Sequence, residues 1–128
     1  MKKINILVVD DSSTMRRIIT QSLVDLGIDR DKIVQAVDGI DALGKMKTST
    51  TFDLILTDWN MPKMDGLTLV NNLRLIPKSE NTPIVMITTE GSKSEVISAL
   101  KSGVNNYIVK PFNAETLKNK LTPILKKI

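Results

Sequence analysis

The chain of 128 residues contains neither cysteine nor histidine. The lack of cysteine excludes disulfide bonds, thiolate zinc sites and thiol nucleophiles. The lack of histidine removes the side chain that most often acts as a general base or as a metal ligand. Any bound metal must therefore be held by oxygen atoms, which favours Mg²⁺, Mn²⁺ or Ca²⁺.

Aromatic residues and long apolar runs are also scarce. Only 3% of the residues are aromatic, so there is little to stack on nucleic-acid bases. The apolar runs fall far short of the roughly 18 residues that suggest a membrane span, and the run at residues 4–9 is too short for a secretory signal. We therefore expect a cytoplasmic protein that binds neither nucleic acid nor membrane.

The remaining composition is that of a globular domain. Hydrophobic residues make up 41% of the chain and charged residues 25%, which are ordinary values for folded domains. The net charge is +4, and its densest basic runs lie on predicted helices, where a solvated face is the usual explanation. The length predicts one domain over residues 1–128.

Apolar runs and helical periodicity alternate along the chain. The predicted strands occupy residues 4–9, 32–36, 52–57, 84–87 and 106–109. Between and after them apolar residues recur at helical spacing, and Asp65 and Asn113 are suited to cap two of the helices. Five strands alternating with five helices predict an α/β fold, a doubly wound parallel sheet with helices on both faces and right-handed crossovers.

Two of the predicted helices carry short apolar stripes, and a third contains a proline. We expect the stripes to form the apolar faces of their helices: Ile40, Leu43 and Met46 in one, and Val96, Ile97 and Leu100 in the other. Pro123 lies inside the last predicted helix, where it removes a hydrogen bond and should kink or end the helix. We therefore expect that helix to be irregular.

Polar side chains follow the predicted strands at the points where the strands end. Asp10 and Asp11 follow the first strand and Asp58 the third, while Thr88 and Lys110 follow the fourth and fifth. The carboxyl ends of parallel strands share one edge, where open α/β sheets bind ligands. We therefore expect these five side chains to converge. Three carboxylates at close range raise one another's pKa unless cations compensate them, and a divalent metal and Lys110 could do so.

Such a site is suited to phosphoryl transfer. A carboxylate can attack an activated phosphoryl group and form an aspartyl phosphate, and the reaction needs mainly alignment and neutralised charge. A metal on the acidic pair and the ammonium of Lys110 would supply that neutralisation, while Thr88 offers a hydroxyl donor. Taken singly the residues have plainer interpretations, because aspartates cap helices and threonines are common in strands.

These residues resemble the receiver domain of two-component response regulators. The resemblance covers essentially the whole chain and is strongest at residues 10–17, 58–62 and 107–112, with Thr88 between them. Within that family the sequence is most similar to CheY-like chemotaxis regulators. The resemblance implies the flavodoxin-like strand order 2-1-3-4-5.

The resemblance also implies a role for each site residue. Asp58 would accept the phosphoryl group from a phosphohistidine. The side chains of Asp11 and Asp58 and the main-chain carbonyl of Asn60 would ligate Mg²⁺, for which Mn²⁺ could substitute, and Asp10 would act through water. Lys110 would pair with Asp58 and then with its phosphate, and its bond to the following proline is expected to be cis.

Further positions resemble those that control switching and rate in this family. Thr88 would move towards the phosphoryl group and Tyr107 would turn into the space that it leaves. Asn60 and Glu90 resemble the positions that govern water access and dephosphorylation. Thr89 replaces the alanine that is most common there, so its bulk is expected to narrow access to the phosphoryl group.

The resemblance implies a monomeric, stand-alone signalling domain rather than an enzyme, although it would take part in its own phosphorylation and dephosphorylation. Its partners would be a CheA-like sensor histidine kinase and a FliM-like flagellar motor switch protein, with a phosphatase as a further partner. Trp59, the only tryptophan, should report metal binding by its fluorescence.

Three alternatives stay open at this point. The chain could be a phosphorelay receiver or a fragment of a longer DNA-binding regulator. A phosphohydrolase of the haloacid-dehalogenase type is disfavoured, because such enzymes carry two aspartates two positions apart after the first strand.

Overall fold

In residues 3–128, which are those that the computed structural model describes, five strands form one parallel sheet in the order β2-β1-β3-β4-β5. The strands are β1 (Ile6–Val9), β2 (Ile33–Ala36), β3 (Leu54–Thr57), β4 (Ile84–Thr88) and β5 (Asn106–Val109). Every pairing between neighbouring strands is parallel. The predicted sheet and its order are therefore confirmed, while residues 1 and 2 of the predicted domain lie outside the described residues.

The burial of each strand explains its sequence pattern. All residues of the central strands β1, β3 and β4 are buried, because helices cover both faces of the sheet. The runs are accordingly apolar up to the buried threonines that end β3 and β4. The edge strands β2 and β5 are partly exposed. The ends of the strands differ from the predicted ones by at most two residues, the uncertainty usual for such boundaries.

Five α-helices flank the sheet in the described part of the chain. They are α1 (Ser13–Asp25), α2 (Gly39–Lys45), α3 (Gly66–Leu75), α4 (Lys93–Lys101) and α5 (Ala114–Lys126). Helices α1 and α5 pack on one face of the sheet, where Leu23 and Leu121 belong to one apolar cluster. Helices α2, α3 and α4 pack on the other face, where Ala42, Leu69 and Ala99 belong to a second cluster.

Each helix begins at a residue whose side chain accepts a hydrogen bond from the first turn. These caps are Ser12, Asp38, Asp65, Ser92 and Asn113. The predicted caps Asp65 and Asn113 are confirmed, and their contacts fix where α3 and α5 start.

The apolar stripe predicted for α2 is only partly in the core. Met46, the residue that caps the end of α2, is buried, but Ile40 is 54% exposed. The buried positions within the helix are Gly39 and Ala42. Small residues let the helix lie close to its neighbours, and a Cβ on Gly39 would come within 2.8 Å of the sulfur of Met64.

The predicted stripe of α4 also lies largely outside the core. Ala99 is its only buried residue, while Ile97 and Leu100 are 40% and 48% exposed. The periodicity identified an amphipathic helix in each case. The helix face that packs on the sheet is, however, the one with the smallest side chains.

Pro123 does not end the last helix. Helix α5 continues through it to Lys126. Although the proline removes one main-chain donor, Leu121, Ile124 and Leu125 are buried around it and hold the last turns against the sheet. Of the two predicted outcomes, an ending is therefore wrong, and a kink stays a prediction.

Within residues 3–128, each helix is too short or too polar to traverse a bilayer.

Candidate functional site

The carboxyl edge of the sheet brings three aspartates together. Strands β1 and β3 are neighbours with Val9 opposite Thr57, so the residues that follow them are adjacent. Carboxylate oxygens of Asp10, Asp11 and Asp58 lie within 4.8 Å of one another. Asp10 and Asp58 are buried, whereas Asp11 is exposed. The cluster could therefore hold a metal ion that approaches from the solvent side.

Lys110 reaches the same pocket from the end of β5. Its main-chain N–H donates to the carbonyl of Thr88 at 2.8 Å, which ties the residue to the end of β4. Its Nζ lies 3.3 Å from Oδ2 of Asp58 and 3.1 Å from Oδ2 of Asp10. The contact with Asp10 was not predicted. The bond between Lys110 and Pro111 is cis, as expected.

The pocket has more negative than positive charge. In the described chain, three carboxylates face the single ammonium of Lys110. Burial raises the pKa of Asp10 above its ordinary value, although the N–H of Ser12 and the ammonium of Lys110 oppose that shift. A pocket with two buried carboxylates and excess negative charge is suited to a hard cation.

The acceptor candidate Asp58 is held in place by its neighbours. Its Oδ1 accepts a hydrogen bond from the main-chain N–H of Trp59 at 2.7 Å, and its Oδ2 faces Lys110. Gly66, the first residue of α3, packs directly on this turn, and a Cβ there would lie 2.0 Å from the main-chain oxygen of Asp58. Gly66 therefore positions the acceptor, a role that sequence reasoning missed although the glycine follows a predicted cap.

Thr88 and Tyr107 lie on neighbouring strands close to this edge. Thr88 is fully buried at the end of β4. Its Oγ1 accepts a hydrogen bond from the N–H of Glu90 at 3.4 Å. The hydroxyl of Tyr107 donates to the main-chain carbonyl of Glu90. Both side chains thus contact the loop that follows β4.

The electrostatic surroundings of Tyr107 disfavour its ionised form. Burial, followed by the charges of Glu95, Glu90 and Asp58, raises the pKa of its hydroxyl to about 12. The phenol therefore remains a hydrogen-bond donor at neutral pH.

A side-chain hydrogen bond links two loops at the carboxyl edge of the sheet. Nδ2 of Asn60 donates to Oε1 of Glu90 at 2.7 Å, which joins the loop after β3 to the loop after β4. The two residues were predicted to control water access, but their direct contact was not. Thr89 is exposed beside them.

Arg16 is a second residue that sequence reasoning did not single out. Its Nη1 donates to the main-chain carbonyl of Asp10 at 2.7 Å and its Nε to Oε1 of Gln35 at 3.0 Å. It fixes the turn that presents the acidic pair. The only indication in the sequence was that Arg16 lies in residues 10–17, one of the segments that resemble the receiver family.

Comparisons with known proteins agree with this geometry. The family described as response regulator receiver domain matches residues 6–122. The chemotaxis protein CheY homolog of Campylobacter jejuni is 52% identical over 120 residues, which cover 94% of this chain and 91% of that relative. The solved structure of the chemotaxis response regulator CheY4 of Vibrio cholerae gives a TM-score of 0.86 at 36% identity, covering 96% of this chain and 99% of that one.

A further structural relative was solved with a metal. The receiver domain of the sensor histidine kinase PA1611 from Pseudomonas aeruginosa has a magnesium ion coordinated in its active site cleft. It gives a TM-score of 0.82 at 26% identity and covers 98% of this chain and 97% of that one.

Proposed function

This chain belongs to the response regulator receiver domains and is a signalling domain of the CheY type, and on that basis we propose that Asp58 accepts a phosphoryl group from a phosphohistidine of a sensor kinase. The observation that carries the proposal is the pocket itself. One lysine contacts two buried aspartates, and a third carboxylate lies within reach of both.

The donor set fits a hard divalent cation. All three clustered side chains offer oxygen, and their charge exceeds what Lys110 can neutralise. Asp11, Asp58 and the main-chain carbonyl of Asn60 would hold Mg²⁺ or Mn²⁺, with Asp10 acting through water. When bound, the ion would neutralise the charge that develops on the phosphoryl oxygens. The magnesium ion in the PA1611 receiver domain supports this choice.

Three side chains of the pocket would have separate roles in the phosphoryl transfer. A carboxylate oxygen of Asp58 attacks phosphorus as the phosphorus–nitrogen bond breaks, and the electron pair of that bond leaves with the imidazole. The ammonium of Lys110 is already 3.3 Å from Asp58 and would follow the phosphoryl oxygens. The buried position of Thr88 beside Lys110 suits its hydroxyl to donate to another phosphoryl oxygen.

Thr88 and Tyr107 would then couple phosphorylation to the conformation of the loop after β4 and of helix α4. If the hydroxyl of Thr88 turns to the phosphoryl group, it gives up the N–H of Glu90 and frees the space beside Tyr107. If the side chain of Tyr107 turns into that space, its hydroxyl would release the main-chain carbonyl of Glu90. The loop after β4 and helix α4 would shift between two populations in response to one local charge.

The exposed apolar side chains of α4 and β5 suit this output. Ile97 and Leu100 of α4 and Val109 of β5 are each at least 40% exposed, and β5 is the strand that bears Tyr107. This surface would dock a FliM-like motor switch protein, and a CheA-like kinase would supply the phosphoryl group. We propose that residues 1–128 act in the cytoplasm as one monomeric receiver, and that Asn60, Thr89 and Glu90 set the lifetime of the phosphorylated form.

Fluorescence of Trp59 tests the proposal. Beryllofluoride with Mg²⁺ mimics the phosphorylated acceptor and should change the emission, because the N–H of Trp59 bonds Asp58 directly. The matched control is Asp58→Asn, which retains size but cannot form the adduct and should give no change beyond that of Mg²⁺ alone. Unchanged Trp59 emission in the wild type, or an equal change in Asp58→Asn, would count against the proposal.

A further inference from the structure

A groove between α2 and α3 lies away from the acidic pocket. Its volume is about 490 Å³, and it is lined by Leu43, Met46, Lys47, Asn72, Leu75 and Ile76. These residues belong to the carboxyl-terminal parts of the two helices and to the residues that directly follow them. In right-handed crossovers the helices run back against the strands, so the groove lies towards the amino edge of the sheet, opposite Asp58.

Two large apolar side chains at or near the groove are exposed. Leu75, the last residue of α3, is 83% exposed. Ile40, one turn before Leu43 on α2, is 54% exposed. The stripe predicted as the apolar face of α2 thus extends from this groove into solvent. Exposed large apolar residues beside an apolar groove are a feature of interaction sites.

Gly44 provides an independent indication. It lies inside α2 with an ordinary helical backbone, and a Cβ built on it would meet no heavy atom of the described residues within 4 Å. Alanine would therefore fit and would favour the helix by roughly 1 kcal/mol. The fold does not need this glycine, but its bare backbone lets another element approach α2 closely.

The charge of the groove selects the kind of partner. Among the described residues, its lining includes one charged side chain, Lys47, and no carboxylate. Next to it, Nζ of Lys78 donates to the carbonyls of Met46 and Thr48. A second copy of this chain packed about a two-fold axis would bring lysines towards lysines, which is unfavourable.

We propose that this groove binds an amphipathic helix of a partner protein, with a ridge of large apolar side chains flanked by acidic residues. The ridge would cross α2 at Gly44 and pack on Leu43 and Leu75, and a carboxylate would meet Lys47. The surface is separate from the one on α4 and β5, so both can be occupied at once. The inference does not rest on phosphorylation of Asp58.

A pair of synthetic helical peptides tests the proposal. One has leucine at every third or fourth position with glutamate elsewhere, and its match has lysine in place of each glutamate. Each is titrated into the ¹⁵N-labelled full chain with and without beryllofluoride and Mg²⁺. The acidic peptide should shift amide signals of α2 and α3 equally in both states, and the basic peptide should bind at least about ten-fold more weakly.

Variants locate the binding. Leu75→Gln should weaken it at least about ten-fold. Gly44→Ala should also weaken it while raising thermal stability, a combination that a purely structural glycine would not produce. Ile97→Gln, an equally polar change on α4, should leave it unchanged.

Three results would overturn the proposal: equal binding of both peptides, wild-type affinity in Leu75→Gln, or signal changes confined to α4 and β5. Concentration-dependent dimerisation that Leu75→Gln abolishes would assign the groove to a second copy instead. A failed beryllofluoride response with intact peptide binding would reject only the phosphoacceptor function.

Discussion

The two edges of the sheet accommodate charged side chains in opposite ways. At the carboxyl edge, the ammonium of Lys110 faces two buried aspartates, and an exposed third lies beside them. At the amino edge, the guanidinium of Arg74 donates to the main-chain carbonyls of Ser79, Glu80, Thr82 and Gly103 and to the amide oxygen of Asn105. Its charge meets fixed neutral acceptors.

The difference separates a binding site from a structural device. Burial lowers the pKa of Arg74, but its donors are distributed over the segments that enter β4 and β5, so it ties them together. The carboxyl edge keeps an excess of negative charge that no cation among residues 3–128 neutralises. Such an excess is costly without a ligand and useful with one.

Removing the ammonium of Lys110 from the carboxyl edge should have the largest effect, and it should act on the phosphorylation rate. In Lys110→Ala, no other ammonium contacts Asp10 or Asp58 among the residues described. We expect the initial rate of phosphorylation by acetyl phosphate with Mg²⁺ to fall roughly 10²- to 10³-fold. The control Lys118→Ala removes an ion pair with Asp25 that is far more exposed and should keep the wild-type rate. A loss below three-fold in Lys110→Ala would contradict the role of this lysine.

Removing the cation of the amino edge should affect stability instead. Arg74→Ala leaves several partly buried carbonyls without their donor, and we expect the free energy of unfolding to fall by about 3 kcal/mol. Urea unfolding measures this, and the exposed Arg17→Ala serves as the control. The phosphorylation rate of the folded Arg74→Ala protein should stay within about two-fold of wild type, because the acidic pocket is unchanged.

Adding a cation should distinguish the edges again. At a Mg²⁺ concentration about a hundred times its dissociation constant, binding should stabilise the protein by about 2.7 kcal/mol. Asp11→Asn should lose most of this gain, whereas Arg74→Ala should keep it. Thermal unfolding with and without Mg²⁺ provides the test, and an equal gain in Asp11→Asn would place the metal elsewhere.

The smallest effect is a pH dependence of stability. The pKa of Asp10 is raised in the folded protein, so the unfolded chain releases this proton more readily. Asp10 therefore lowers stability as the pH rises from its ordinary pKa through its raised one, and this cost is absent at lower pH. Without metal, Asp10→Asn should be more stable than wild type at pH 7, and the difference should shrink on acidification. A difference that grows on acidification would contradict the shift.

The features that sequence predicted best are those fixed by strand order and by local hydrogen bonds. The site followed from where the apolar runs end, because parallel strands must share one carboxyl edge. Asp65 and Asn113 were predicted as caps because capping depends on residues within one turn. The movements of the Thr88 and Tyr107 side chains during switching stay predictions.

The features that sequence missed depend on packing at long range. Ile40 is apolar but exposed, because the smaller Ala42 allows the closer approach of α2 to the sheet. The bridge from Asn60 to Glu90 needs two loops to meet, which no local pattern reveals. The contacts of Arg74 join segments 29 and 31 residues apart for the same reason.

We propose that the charge excess at the carboxyl edge serves phosphoryl transfer to Asp58. Its most direct test is the intact mass of the chain after incubation with acetyl phosphate and Mg²⁺, followed by borohydride reduction and peptide mapping. We expect the gain of one phosphoryl group and a reduced aspartyl residue at Asp58, with neither in Asp58→Asn. A phosphoryl group on another residue, or none at all, would contradict it.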